Sequence, residues 1–200
     1  MRDQKAWLEI FEKHGAILTS SHFIYTSGKH GDTYVNKDAL YPHTALMSEI
    51  GEAFAEAYSK ESIEVVVAPA VGGIILTQWT AFHLSRKKGK EVLAVYAEKS
   101  TDPPGFVLKR GYDTIVANKN VLVLEDVLNT GGSVQSVLKV LANSKVKGIA
   151  AVCNRGNLQA ANFGGIPLFS LTTLNLQIYE ATSCPLCQKA VPFNKQVGKA

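Results

Sequence analysis

No apolar run in this 200-residue chain approaches the roughly 20 residues that a membrane-spanning helix needs, so membrane insertion by helices is not expected. The start, Met1-Arg2-Asp3-Gln4-Lys5, lacks an apolar secretory region, and the expected location is the cytoplasm. Cysteine is scarce: three in all, an odd number that builds no disulfide framework. Charge is also modest, at 19% of residues with a net +4. That balance agrees with anionic substrates without requiring them. No helix-turn-helix pattern is present, and nucleic acid is not an expected partner. Internal repeats, low-complexity tracts and interdomain linkers are missing too, which leaves one domain over 1–200. What remains is ordinary globular material, 46% hydrophobic and long enough to bury one sizeable core.

Asp3 is placed to cap a first helix that carries Trp7, Leu8 and Phe11 and ends at His14-Gly15. Short β-rich pieces follow at Ala16–Leu18, His22–Tyr25 and Thr33–Asn36, separated by Ser and Gly turns. They read as a small hood over about 15–42, completed by the C-terminal segment. An amphipathic helix over about His43–Lys60 opens a core that runs to about 175. There, strands at Val65–Ala68, Val92–Tyr96, Gly148–Cys153 and Leu168–Leu174 alternate with helical patterns such as Ile74–Leu84. Such alternation predicts an α/β fold: a Rossmann-like, open, mostly parallel sheet flanked by helices. The segment Ser100–Gly105, with Asp102-Pro103-Pro104, reads as a mobile loop.

The chain is organised around Val121–Ser133, V-L-V-L-E-D-V-L-N-T-G-G-S. Four apolar residues make a buried strand, and Glu125 and Asp126 follow where it should emerge. Val127, Leu128 and Asn129 form the turn into Thr130-Gly131-Gly132-Ser133, and Val134, Val137, Leu138 and Leu141 recur at helical spacing behind it. Free N–H groups at a helix start attract phosphate, and glycines let it come close. Two carboxylates suit sugar hydroxyls, or Mg²⁺ held directly or through water. A structural turn has no need of two acids that repel each other. The stretch resembles the phosphoribosyl-pyrophosphate (PRPP) signature of type I phosphoribosyltransferases.

Further segments resemble the orotate phosphoribosyltransferases, in a bacterial branch ending in Cys-Pro-Leu-Cys. They are His22–His30 leading to Tyr34 and Lys37, Ala97-Glu98-Lys99 with Leu108–Tyr112, Asn154-Arg155-Gly156, and Cys184-Pro185-Leu186-Cys187. The resemblance implies transfer of ribose 5-phosphate from PRPP to orotate, with Mg²⁺ as cofactor and a homodimer as the assembly. It implies that Glu125 and Asp126 hold the ribose hydroxyls, that Val127 to Ser133 bind PRPP, and that Val71-Gly72-Gly73 offer amides to pyrophosphate. Arg155 would fork onto the orotate carboxylate, with Asn129 and Thr26 on the orotate side and Lys99 as a catalytic cation. Mg²⁺ would be held mainly by PRPP and water, so no protein metal ligand is expected. Two alternatives remain: a transferase for another base, or a PRPP sensor without catalysis.

Several positions depart from the family pattern. Gly72 stands where many members carry lysine, Thr26 where many carry lysine, and Asn129 where threonine is usual. The usual basic loop is replaced by Ala97-Glu98-Lys99 and Asp102-Pro103-Pro104, leaving Lys99, Lys109 and Arg110 as available cations. Cys184 and Cys187 have metal-ligand spacing, but the sequence offers only Cys153 and five scattered histidines beside them, so a turn in the tail is expected. Arg86-Lys87-Lys88 reads as a helix end and His83 as a satisfied histidine on an apolar helix.

Overall fold

A computed structural model describes residues 2–25, 27–102, 104–195 and 197. The first helix, α1 (Gln4–Lys13), starts where Asp3 accepts a hydrogen bond from the Ala6 amide at 2.8 Å. Four two-residue strands follow: β1 (Ile17–Leu18), β2 (Phe23–Ile24), β3 (His30–Gly31) and β4 (Tyr34–Val35). The core then runs α2 (Thr44–Ala57), β5 (Val65–Pro69), α3 (Gly72–Lys88), β6 (Leu93–Thr101), β7 (Pro104–Val107), α4 (Tyr112–Val116), β8 (Asn120–Leu128), α5 (Gly132–Val140), β9 (Lys145–Asn154) and β10 (Leu168–Thr173). β11 (Ile178–Tyr179) and α6 (Pro185–Gln188) form the tail.

The main sheet has the order β10-β9-β8-β5-β6-β7 and is parallel except for β7. Period-2 alternation divides its side chains between two cores. Val66, Ala68, Leu122, Leu124, Ala150 and Val152 pack with α1, α2 and α3, whereas Val65, Val67, Val121, Val123, Ile149 and Ala151 face Val134 and Val137 of α5. Burial on both faces explains why these strands read as unbroken apolar runs. Successive parallel strands leave β5 first toward β6 and then, after β7, toward β8 on its other side. The crevice between the carboxyl ends of β5 and β8 is therefore the topological switch point, where open α/β sheets bind ligands.

A separate three-stranded sheet has the order β11-β3-β2, in which β11 of the tail pairs antiparallel with β3. Among the described residues no helix is long and apolar enough to cross a membrane. Lys88 of α3 donates to the Ser59 carbonyl at 3.1 Å and Lys87 pairs with Glu56 at 2.7 Å, which accounts for the basic helix end.

Three expectations need correction. The segment expected as a loop from Ser100 to Gly105 is largely β-hairpin: β6 extends to Thr101 and pairs antiparallel with β7, with Lys99 opposite Phe106. The Ser136 hydroxyl of α5 accepts from the Phe106 amide at 3.0 Å, which docks the hairpin on the core. Strand β8 continues through Glu125, Asp126, Val127 and Leu128 because β9 is long enough to pair with it as far as Asn154. Cys184 and Cys187 are not a plain turn with distant histidines, since chain folding brings His22 and His30 against both.

Candidate active site

At the switch point, residues of five segments converge. Glu125 lies inside β8 and is only 7% exposed. Burial, reinforced by the Asp126 charge beside it, pushes its pKa up to about 8. Its Oε1 accepts from the Asp126 amide at 3.1 Å. Asp126 is oriented on both oxygens: Oδ1 accepts from the Val127 amide at 2.6 Å, while Oδ2 accepts from the Tyr41 hydroxyl at 2.8 Å and meets Lys37 Nζ at 3.0 Å. Burial disfavours the Lys37 ammonium, yet Asp126 and Asp38 together outweigh it and raise the lysine pKa. Burial first, and Asp126 second, raise the pKa of the Tyr41 phenol, so it remains a donor.

The glycine loops close around this pair. A Cβ on Gly72 would run into Tyr41 and Asp126, so the backbone at the start of α3 lies directly against the Asp126 carboxylate. Gly73 packs against Ala68, where a Cβ would collide with that side chain. Val71, 81% exposed, precedes them, and the Ala70–Val71 peptide is cis. The Ala70 amide donates to Ala97 at 2.8 Å, tying this loop to β6. On the β8 side, Gly131 has φ +78° and caps the start of α5, with Phe163 and Leu158 packed beneath it. A small cavity of about 70 Å³ is lined by Glu125, Val127, Leu128, Asn129, Thr130, Gly131, Gly132 and Ser133. A larger cavity of about 590 Å³ lies between α1 and β10, lined in part by Arg2, Trp7 and Phe169, and does not include the acid pair.

Arg155 follows β9 and is bound into the same region by its own backbone. The amides of Arg155 and Gly156 both donate to the Leu128 carbonyl, at 2.9 and 3.0 Å. Gly156 is pressed against Asn129, and a Cβ there would collide with the Asn129 carbonyl. The guanidinium carbon of Arg155 sits 5.6 Å from the centroid of the Tyr25 ring. Its Nε is buried and has no hydrogen-bond partner among the described residues. An orphaned buried donor of this kind is costly unless a ligand completes it.

Of the residues expected in the site, Val71, Gly72, Gly73, Glu125, Asp126 and the 127–133 loop come together, and Asn129 packs against Gly156, the neighbour of Arg155. Lys99 is exposed on β6 and makes no ion pair among the described residues, whereas Lys109 and Arg110 both pair with Glu98, at 3.8 and 2.8 Å. Thr26 lies outside the described residues. Lys37, Tyr41 and Tyr25 were not among the expected site residues. Lys37 was visible only as the end of the hood segment, and no local pattern ties it or Tyr41 to Asp126.

Residues 36–162 match the family model described as "Phosphoribosyl transferase domain". An orotate phosphoribosyltransferase of Thermoanaerobacter sp. (strain X514) is 35% identical over 190 residues, 94% of each chain. One from Thermotoga maritima is 35% identical over 191 residues, 94% of this chain and 95% of that one. The crystal structure of Mycobacterium tuberculosis H37Rv orotate phosphoribosyltransferase in complex with Fe(III) dicitrate matches with a TM-score of 0.68 at 21% identity, over 86% of this chain and 97% of that one, a likeness of fold. With acid pair, glycine loops and arginine gathered at the switch point of such a sheet, this chain belongs to the family of orotate phosphoribosyltransferases.

Proposed function

We propose that the chain transfers the ribose 5-phosphate of PRPP to orotate, giving orotidine 5′-monophosphate and pyrophosphate. The observation that carries the choice of acceptor is the buried, unpartnered Nε of Arg155 beside the Tyr25 ring. A planar carboxylated ring can stack on a tyrosine while its carboxylate takes two parallel hydrogen bonds from the guanidinium. A purine without a carboxylate would leave that donor buried and unsatisfied.

Each glycine loop takes one end of PRPP in this reading. The amides of residues 130–133 at the start of α5 receive the 5′-phosphate, and those of Val71, Gly72 and Gly73 receive pyrophosphate. Between them the ribose hydroxyls meet Glu125 and Asp126. Asp126, fixed by Lys37 and Tyr41, places negative charge near a sugar that becomes oxocarbenium-like as its C1–oxygen bond breaks. Because Tyr41 and Lys37 hold it before substrate arrives, little reorganisation is needed during the reaction. Glu125, protonated at neutral pH in the free protein, can both donate to and accept from a hydroxyl. Lys99 is the cation free to meet departing pyrophosphate.

Mg²⁺ fits this donor set in a limited way. Both oxygens of Asp126 are engaged and Glu125 is held protonated, so the acids do not make an all-protein cage. Hard carboxylate oxygens beside an open phosphate site instead suit an ion bound through PRPP oxygens and water, as Mg²⁺ prefers. Bound there, it would neutralise charge on the leaving pyrophosphate. We also propose a homodimer, supported by Ile75 and Phe82, which leave an apolar stripe exposed on α3. Light scattering should give twice the chain mass, and a monomer at working concentration would refute it.

The acceptor is tested with purified protein, PRPP and Mg²⁺, supplying orotate, other pyrimidines and purines separately. Consumption of orotate alone is the expected result. Turnover only with another base, or PRPP binding without turnover for any base, would overturn the assignment.

A further inference from the structure

We propose that His22, His30, Cys184 and Cys187 form a structural zinc site that clamps the C-terminal tail onto the N-terminal hood. It is separate from the PRPP cleft and does not depend on the acceptor base. Their ligand atoms all lie within 4.8 Å of one another, and His22, His30 and Cys184 are buried. His22 Nε2 is 3.2 Å from His30 Nδ1, 3.5 Å from Cys184 Sγ and 3.8 Å from Cys187 Sγ; Cys187 Sγ is 3.3 Å from His30 Nδ1. A tetrahedron with zinc–sulfur bonds of about 2.3 Å and zinc–nitrogen bonds of about 2.0 Å separates two nitrogens by about 3.3 Å and a nitrogen from a sulfur by about 3.5 Å. These four nitrogen–nitrogen and nitrogen–sulfur spacings lie within about 0.3 Å of those edges.

Hydrogen bonding alone does not account for the cluster. His22 Nδ1 lies 2.8 Å from the Val191 carbonyl, an acceptor, so Nδ1 carries the proton and Nε2 turns its lone pair toward the other three groups. If His30 Nδ1 is protonated it takes that lone pair and leaves the Cys184 thiol without it; if it is not, two lone pairs face each other at 3.2 Å. A cation at the centre uses that lone pair together with the other three. The Nδ1–H to carbonyl bond is also the usual outer contact of a metal-bound histidine, fixing tautomer and ring orientation. Two sulfurs and two imidazoles in a closed tetrahedral set select zinc over magnesium or calcium. Binding releases the two thiol protons to solvent, and Zn²⁺ with two thiolates and two neutral imidazoles carries no net charge. A neutral centre suits its setting, where the Phe193 ring lies 4.2 Å from His22 and 5.3 Å from His30, centroid to centroid.

The location supplies a reason for a metal. The hood sheet consists of β2, β3 and β11, each two residues long, and so small a sheet has little core of its own. His22 immediately precedes β2 and His30 lies in β3, while Cys184 and Cys187 come from the tail after β11. Zinc would join both ends of the chain beside Tyr25, which packs against Arg155.

The test is metal analysis of the full-length, reduced protein after growth with zinc and passage over a chelating resin. About one zinc per chain is expected, falling at least about tenfold in Cys184→Ser/Cys187→Ser and unchanged in Asp126→Asn, which separates this site from the acid pair. Should the double variant fail to fold, cobalt exchanged into the wild-type protein decides. Intense visible bands of tetrahedral cobalt with thiolate-to-cobalt charge transfer support the site. Protein without bound zinc, zinc retained by the folded double variant, octahedral cobalt spectra, or an intact mass two hydrogens light from a Cys184–Cys187 disulfide would each overturn it.

Discussion

Replacing Glu125 with glutamine should make the free protein more stable at neutral and alkaline pH, with a benefit that grows as pH rises. The carboxyl is buried in β8 beside Asp126, and its pKa is raised from the ordinary 4.5 to about 8. A raised carboxyl pKa means that the folded protein binds a proton that the unfolded chain has released. Wild-type stability is therefore fully present below the unfolded pKa and is lost as pH climbs through the window to about 8. One pKa unit corresponds to about 1.4 kcal/mol, so the loss between about pH 5 and pH 8 amounts to about 2–4 kcal/mol. Glutamine has nearly the same shape and does not titrate. Urea unfolding of both proteins at several pH values, without PRPP or metal, measures the difference. Curves that diverge upward with pH, glutamine above wild type, are expected. Parallel curves, or a gap that widens toward acid pH, would refute the claim that Glu125 is held protonated.

Asp126→Asn should lower turnover at least about tenfold, equivalent to roughly 1.4 kcal/mol of transition-state stabilisation, while the protein stays folded; near-normal turnover would remove Asp126 from its assigned role. Gly131→Val should weaken PRPP binding in calorimetry, because Gly131 has φ +78° and a Cβ would stand 3.0 Å from Phe163. The same contact implies a stability cost of about 1–3 kcal/mol, so affinity is to be compared on protein shown to be folded. Arg155→Lys keeps the charge but loses the planar fork and should raise KM for orotate by about tenfold or more, leaving PRPP affinity within about twofold.

The sheet was legible because its strands are buried on both faces. Val65–Ala68 and Val121–Leu124 could only be core strands between turn signals, and helical spacing behind Ser133 fixed α5. The glycine loops were legible for a related reason, since glycines next to a helix start have a local signature. Other features depend on contacts that no local pattern encodes. Asp126 meets Tyr41, which is 85 residues away in sequence, so the clasp on this carboxylate was invisible until the hood was folded over it. The β6–β7 pairing was hidden because Pro-Pro-Gly reads as irregular, whereas pairing with β6 and the Ser136 hydroxyl hold Pro104–Val107 in strand form. His22 and His30 looked scattered for want of any sequence sign that the tail returns to pair with β3.

The central claim is that PRPP lies across the carboxyl ends of β5 and β8. A crystal structure of the protein with PRPP and Mg²⁺ tests it directly. The 5′-phosphate should lie within hydrogen-bonding distance of the backbone amides of residues 130–133, with the ribose hydroxyls on Glu125 and Asp126 and pyrophosphate against Val71–Gly73. PRPP bound instead in the larger cavity between α1 and β10, or reversed so that pyrophosphate occupies the α5 loop, would contradict the account.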